Sequence, residues 1–244
     1  MKLETNEDQN SHSRQFFVDL MRVVAIFFVV ILHTSESVTN HWNKIPLFDW
    51  MSGNVYNSFS RFCVPVLFML TGFLLLDKEE SLGVFFGKRL RKIIIPLIAW
   101  SVIYLFLSQS YSNYTLFNAI KSMTRTIFIG PAYYHLWFLY SLIPIYLLIP
   151  ILRVFTKGAS QTVTWYFILL CFFSATILQP VERLIGFDSG VSFKLISEYI
   201  GLVLLGRQLR KIHFSSTWVA ASVIVLISST IYTIYATYTA TVEA

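Results

Sequence analysis

The chain has 244 residues and a formal net charge of +6, with 55% hydrophobic residues and only 13% charged ones. A soluble domain carries about 25% charged residues, so this composition excludes a water-soluble globular protein. The positive surplus does not point to nucleic acid. Its Lys and Arg residues are split among short segments between apolar runs, as membrane topology places them.

The first 15 residues are polar and lack the apolar core and small-residue cleavage site of a signal peptide, which makes 1–15 a cytoplasmic N-terminal tail rather than a leader. From Phe16 onward apolar runs recur, each near the ~20 residues needed to cross a bilayer. They predict spans at 16–34, 56–76, 93–111, 135–152, 163–180, 195–207 and 216–237, the sixth being short. The expected fold class is all-α: a polytopic transmembrane helical bundle of about seven spans, with 16–244 as one membrane domain. With the N-terminus inside, the inner segments hold Lys2, Arg14, Lys78, Lys88, Arg89, Arg91, Lys92, Arg153, Lys157, Arg207, Arg210 and Lys211. The outer loops then hold Lys44, Lys121, Arg125, Arg183 and Lys194, and this asymmetry predicts a cytoplasmic N-terminus. Trp42, Trp50, Tyr56, Tyr133, Tyr134 and Trp218 fall near span ends, as interfacial anchors do. Loops of about 20 residues after spans 1 and 3 have the length of lid or re-entrant segments. Cys63 and Cys171 lie within spans without CxxC or metal-ligand spacing, so they read as buried free thiols and no metal site is expected.

The first span contains Arg22 and His33, with Asp19 and Glu36 near its ends. Ionisable groups inside a span are costly and are functional candidates by default. Eleven positions are close to three helical turns, so Arg22 and His33 share a face about 16 Å apart along the axis. Two readings stand for Arg22: it meets an anionic ligand, or it pairs with Asp19 and snorkels to the interface. For His33, Glu36 one turn later is a carboxylate able to hold one imidazole nitrogen and leave the other as a base. Such a unit activates a hydroxyl. Further along, Lys88, Arg89, Arg91 and Lys92 form an inner basic loop, suited either to plain topology or to the phosphates of a cytosolic ligand. Arg61 near the outer end of span 2 is a candidate contact for an outer acceptor, with Pro65 kinking the span. His135, Trp137 and Tyr140 open span 4 on the outer side, as a sugar-stacking platform or an aromatic belt. No Walker A, HExxH, GxSxG or dinucleotide-binding glycine pattern is present.

These residues resemble acyltransferase family 3, bacterial inner-membrane O-acyltransferases of surface carbohydrates. The similarity lies in Asp19-Leu20-Met21-Arg22 with His33, in Ser60-Arg61-Phe62-Cys63-Val64-Pro65 with Leu70-Thr71-Gly72-Phe73-Leu74-Leu75, in Lys88-Arg89-Leu90-Arg91-Lys92 with Ile95-Pro96, and in His135-Leu136-Trp137-Phe138-Leu139. The four segments stand in the family's order over residues 14–152, and the remainder is similar in hydropathy only. The resemblance implies acetyl-coenzyme A, or another acyl-coenzyme A, as donor on the cytoplasmic side, an envelope glycan or lipid-linked sugar as acceptor, and no metal. It implies Arg22, Arg89, Arg91 and Lys92 near the coenzyme, His33 at the acyl-transfer centre with Glu36 orienting it, and Arg61, His135 and Trp137 toward the acceptor. It also implies a bundle of about ten spans, so a chain with about seven is expected to be incomplete at its C-terminal end. A polysaccharide flippase or exporter, and a non-catalytic partner subunit of envelope glycan assembly, are the alternatives.

Overall fold

The computed structural model describes residues 6–108, 118, 121, 124, 125, 127, 130–178, 193–212 and 214–243, with side chains described from Phe16 in the first helix and from Tyr199 in the seventh. Regular structure among them is helical throughout. In chain order the helices are α1 (Asn6–Thr39), α2 (Leu47–Ser60), α3 (Cys63–Leu75), α4 (Leu82–Ser108), α5 (Trp137–Gly158), α6 (Gln161–Phe173), α7 (Phe193–Leu209) and α8 (Ser216–Val242). A 3₁₀ turn at Tyr134–Leu136 leads into α5, and a π-helical turn at Ser174–Leu178 extends α6. The chain divides into two compact units, one made of 1–73 with 205–244 and the other of 74–204.

Among the described residues five segments are long and apolar enough to cross a bilayer: Phe16–Thr39, Leu47–Leu75, Leu82–Leu107, Tyr134–Gly158 and Ser216–Val242. Gln161–Ile177 and Tyr199–Leu209 are apolar but shorter. The all-α polytopic class holds, and the boundaries differ from expectation in instructive places. The loop expected between 34 and 56 shrinks to 40–46, because α1 continues to Thr39 and α2 begins at Leu47. That turn is closed by His41 N donating to Val38 O and Lys44 N donating to His41 O, with Asn43 at φ 60° in the left-handed region that asparagine tolerates. The basic run expected as a loop lies within α4. Most of the segment between α4 and the 3₁₀ turn, expected as a lid, lies outside the described residues. α6 and α8 start where Ser160 and Ser215 cap them, each hydroxyl accepting from the amide three residues on.

The early start of α2 has a physical reason. Ser52 and Asn54 make its first part read as a polar loop and Asn57, Ser58 and Ser60 follow inside the expected span, yet the last four are buried. A polar group away from water is retained only when it finds a partner. Asn54 Nδ2 donates to Ile234 O at 3.0 Å, Asn57 Nδ2 to Leu32 O at 3.4 Å, Ser58 Oγ to Asn54 Oδ1 at 3.1 Å and Ser60 Oγ to Tyr56 O at 2.7 Å. The first two bonds tie α2 to α8 and α1, and the other two lie within α2. Trp50, expected as an interfacial anchor, is 1% exposed and donates its indole N–H to Thr39 O at 2.9 Å. α1 and α2 approach so closely at Gly53 that a Cβ there would lie 2.7 Å from Val38 Cγ1.

The helix breaks at Arg61–Phe62 because Pro65 has no N–H to donate to the carbonyl of Arg61, four residues earlier. The chain resumes as α3 at Cys63, and Cys63 and Cys171 are both buried free thiols. α7 meets α3 at Gly206, where any Cβ would collide with the Met69 backbone.

Candidate functional site

α1 carries the first group of candidates on one uninterrupted helix, so the helical spacing of Arg22 and His33 stands at about 16 Å. Arg22 Nη1 lies 2.9 Å from Asp19 Oδ1, with 46% and 69% of the two side chains exposed. Helical geometry alone makes this pair, since residues three apart are neighbours on the surface. At the other end of the face, His33 Nδ1 lies 3.4 Å from Glu36 Oε2, and the side chains are 24% and 42% exposed. A bond of this length is loose, as catalytic hydrogen bonds often are before substrate binds. With the proton on Nδ1, the carboxylate fixes that tautomer and Nε2 carries the basic lone pair.

Arg61 belongs to the same unit but not at the place expected for it. With the helical segment beginning at Leu47, Arg61 falls in the middle of Leu47–Leu75 rather than near an end. Phe62 packs against Phe28 at 4.9 Å between ring centroids, which puts this break level with the centre of the apolar part of α1. Arg61 Nε and Nη2 both donate to Asn57 Oδ1 at 3.2 Å. Asn57 is a site residue that sequence reasoning passed over; its signal was an amide one turn before an arginine inside an apolar segment.

The other unit holds a second cluster. In α4, Lys88, Arg91 and Lys92 are exposed and fall within about 100° of one another around the helix. Arg89 turns away from them and pairs through Nη2 with Glu80 Oε1 at 2.8 Å. Arg153 of α5 reaches the same oxygen at 3.0 Å and donates from Nε to Leu75 O at 2.9 Å. The side chains of Arg89, Glu80 and Arg153 are only 13%, 7% and 10% exposed. Both guanidiniums also lie over the ring of the fully buried Phe85, at 4.6 and 4.7 Å from its centroid. Burial pushes the Glu80 carboxyl upward, but the hydrogen bonds from Arg153 and Arg89 and the charges of Arg89 and Lys78 outweigh it, and the net shift is below the usual carboxylate range. Outside this core, Lys157 Nζ bonds the exposed Glu79 at 2.6 Å and lowers its pKa by hydrogen bond and charge. Of the three cations expected at a phosphate, Arg89 is therefore engaged in an internal ion pair, while Arg91 and Lys92 are exposed.

His135 and Trp137 sit at the other end of α4. His135 Nε2 is 2.8 Å from Tyr104 Oη, and Tyr104 stacks on Tyr133 at 4.6 Å. Tyr104 and Arg89 are about 22 Å apart along the helix at 1.5 Å per residue. Trp137 packs at 6.2 Å from Tyr199. Two chemistries are thus separated along one unit, a basic end and an aromatic end.

A family model described as an acyltransferase domain matches residues 15–243, nearly the whole chain. The chain belongs to acyltransferase family 3. Neither a curated protein nor a solved structure matches it. The acyltransferase match covers the residues after 152 as well, where the sequence showed similarity in hydropathy alone. With five apolar segments of crossing length among the described residues, this family member is a multi-pass membrane acyltransferase.

Proposed function

We propose that the protein transfers an acyl group, acetyl in the first instance, from a coenzyme A thioester to a hydroxyl of a cell-envelope carbohydrate in the bacterial inner membrane. One observation carries the reading: a membrane helix of an acyltransferase presents an imidazole one turn from a carboxylate, His33 Nδ1 to Glu36 Oε2. In the proposed step Nε2 of His33 accepts the proton of the acceptor hydroxyl as its oxygen attacks the thioester carbonyl. The new C–O bond forms, the C–S bond breaks, and the imidazolium returns its proton to the departing thiolate. Glu36 holds the ring and stabilises the imidazolium as it forms.

Arg22 is proposed to face the donor, and Asp19 then serves to hold its guanidinium ready. Arg91 and Lys92 keep the proposed role of contacting the coenzyme phosphates, whose chemistry suits guanidinium and ammonium groups on an exposed helix face. The basic segments favour a cytoplasmic N-terminus, which puts the donor with the cytosolic pool.

The test is thiol release from acetyl-coenzyme A by the purified chain in vesicles supplied with an envelope glycan acceptor. His33→Ala is expected to lower turnover by about 10²-fold or more, the usual contribution of a general base, with unchanged thermal stability. Mass spectrometry of the glycan should show one added ester-linked acyl group per thiol released. Undiminished turnover in His33→Ala sinks the catalytic assignment, and glycan crossing the membrane without thioester cleavage sinks the reaction.

A further inference from the structure

Four helix ends meet around one apolar recess in the unit made of 1–73 and 205–244. The apolar part of α1 starts at Phe16, α3 stops at Leu75, α7 stops at Leu209 and α8 starts at Ser216. The recess holds about 250 Å³ and is walled by Phe17 and Met21 of α1, Met69 and Phe73 of α3, Leu209 of α7, and Phe214 just before α8. None of the described residues lining it carries a polar side chain. Phe17 and Met21 are four residues apart and stack along one face of α1, as Met69 and Phe73 do on α3. Each pair spans about 6 Å of helix, so the recess runs from the helix ends inward, parallel to the helices. A slot of this shape and lining takes an alkyl chain that enters from the membrane interface.

The mouth of the slot is basic. Arg210 lies over the ring of Phe73, with Cζ 5.8 Å from its centroid, so a guanidinium is seated on the wall of the recess. Lys211 follows on the connection from Leu209 to Phe214, and both residues are exposed. No Asp or Glu occurs between Glu198 and Glu243 to offset these charges. Asp19, between Phe17 and Met21 in sequence, is engaged by Arg22 at 2.9 Å. The occupant that matches has an alkyl chain and an anionic head at the level of the helix ends.

The acyl-coenzyme A donor does not match. Met21 and His33 are twelve residues apart on α1, about 18 Å, so a chain seated here is too far from the imidazole to be the group transferred. The pantetheine arm carries two amides, and the lining offers them no side-chain partner. We propose that the slot binds one chain of an anionic phospholipid of the bilayer, with its phosphate at Arg210 and Lys211. The lipid then fills the gap between α1, α3 and the α7–α8 connection, and no step of the acyl transfer runs through it.

The full chain is extracted in neutral detergent from vesicles holding equal amounts of dioleoyl phosphatidylglycerol and dioleoyl phosphatidylcholine, and the retained lipid is read by native mass spectrometry. The wild type is expected to retain phosphatidylglycerol over phosphatidylcholine by about tenfold or more, since each basic residue near an anionic headgroup contributes roughly fivefold. The exposed double variant Arg210→Gln/Lys211→Gln removes that preference. Lys44→Gln/Lys121→Gln removes the same charge at two other exposed positions and keeps it. Met21→Trp fills the slot and lowers the retention of both lipids. Leu209→Trp fills it from α7 and is read by the same criterion should the first chain not fold. Equal retention of the two lipids by the wild type overturns the proposal, as does a preference that survives Arg210→Gln/Lys211→Gln. A preference lost equally in the Lys44/Lys121 variant makes it an effect of net charge, and undiminished retention in both tryptophan variants makes it a surface contact without the slot; either result overturns the site. Palmitoyl-coenzyme A displacing the lipid at lower concentration than added phosphatidylglycerol assigns the slot to a donor chain and overturns the phospholipid.

Discussion

Two acid–arginine contacts in this molecule have nearly the same length and different physical standing. Arg22 meets Asp19 at 2.9 Å, and Arg89 meets Glu80 at 2.8 Å. The first pair lies three residues apart on one helix, is largely exposed, and forms as soon as α1 is helical. The second lies in a cluster that joins the start of α4, the end of α5 and the carbonyl of Leu75, with three charged side chains at least 87% buried. Distance alone does not rank them. What ranks them is how many charges become stranded when one partner is removed.

Removing Glu80 gives the largest expected effect of those that probe this contrast. Glu80→Ala leaves two buried guanidiniums against the Phe85 ring without the carboxylate they share, and the cost expected for breaking a buried ion pair is about 3–5 kcal/mol. Thermal unfolding in detergent would show it. Acid should do the same reversibly. The folded Glu80 carboxyl titrates below its ordinary value of 4.5, so its contribution is full above that value and is lost as pH falls through the folded one. A melting curve that declines below about pH 4.5 in the wild type, and declines less in Glu80→Gln, is the expected pattern. Phe85→Leu comes next, at about 2 kcal/mol, because it removes the ring under both guanidiniums while leaving Glu80 in place. Asp19→Ala comes last, at about 0.5 kcal/mol, the range of an exposed i,i+3 pair, and that loss should shrink in high salt. If Asp19→Ala unfolds the protein as readily as Glu80→Ala, the ranking by burial is wrong.

Much of the fold was legible because it depends on long apolar runs. The segments containing His33, Tyr104 and Thr233 were each expected as membrane helices. What hydropathy could not see was polar groups satisfied inside the bundle. Ser52 and Asn54 lower the local hydropathy at the start of α2, so that span 2 was expected to begin at 56 and Arg61 to lie near its end, while Asn57, Ser58 and Ser60 add polar groups inside the expected span. The hydrogen bonds that make those residues tolerable are tertiary, to Leu32 O and Ile234 O among others, and no local pattern encodes them. The basic run at 88–92 was expected as a loop for the same reason, although Lys and Arg are good helix formers. Arg153 read as one more inner-side cation, yet it is buried. The available signal was the acidic pair Glu79-Glu80, which departs from the positive bias of the segments on the same expected side. The His33–Glu36 contact was legible because it needs only a helix. The Arg61–Asn57 contact is equally local: Asn57 lies four residues before Arg61 inside the expected span 56–76, and it was missed because a lone amide was not weighed as a partner for the arginine.

Gly206 presses α7 against the backbone of Met69, and those two residues are far apart in the order of synthesis. When Met69 leaves the ribosome, nothing has yet been made that fits its exposed carbonyl side. The membrane must hold α1, α2 and α3 as a partial assembly through the making of residues 74–204, with the seat for Gly206 covered only by lipid. The first unit closes when α7 arrives, so its completion is a late event in biogenesis. A Gly206→Ala chain should then insert normally, carry all its helices, and remain open at that seam as a target for membrane quality control.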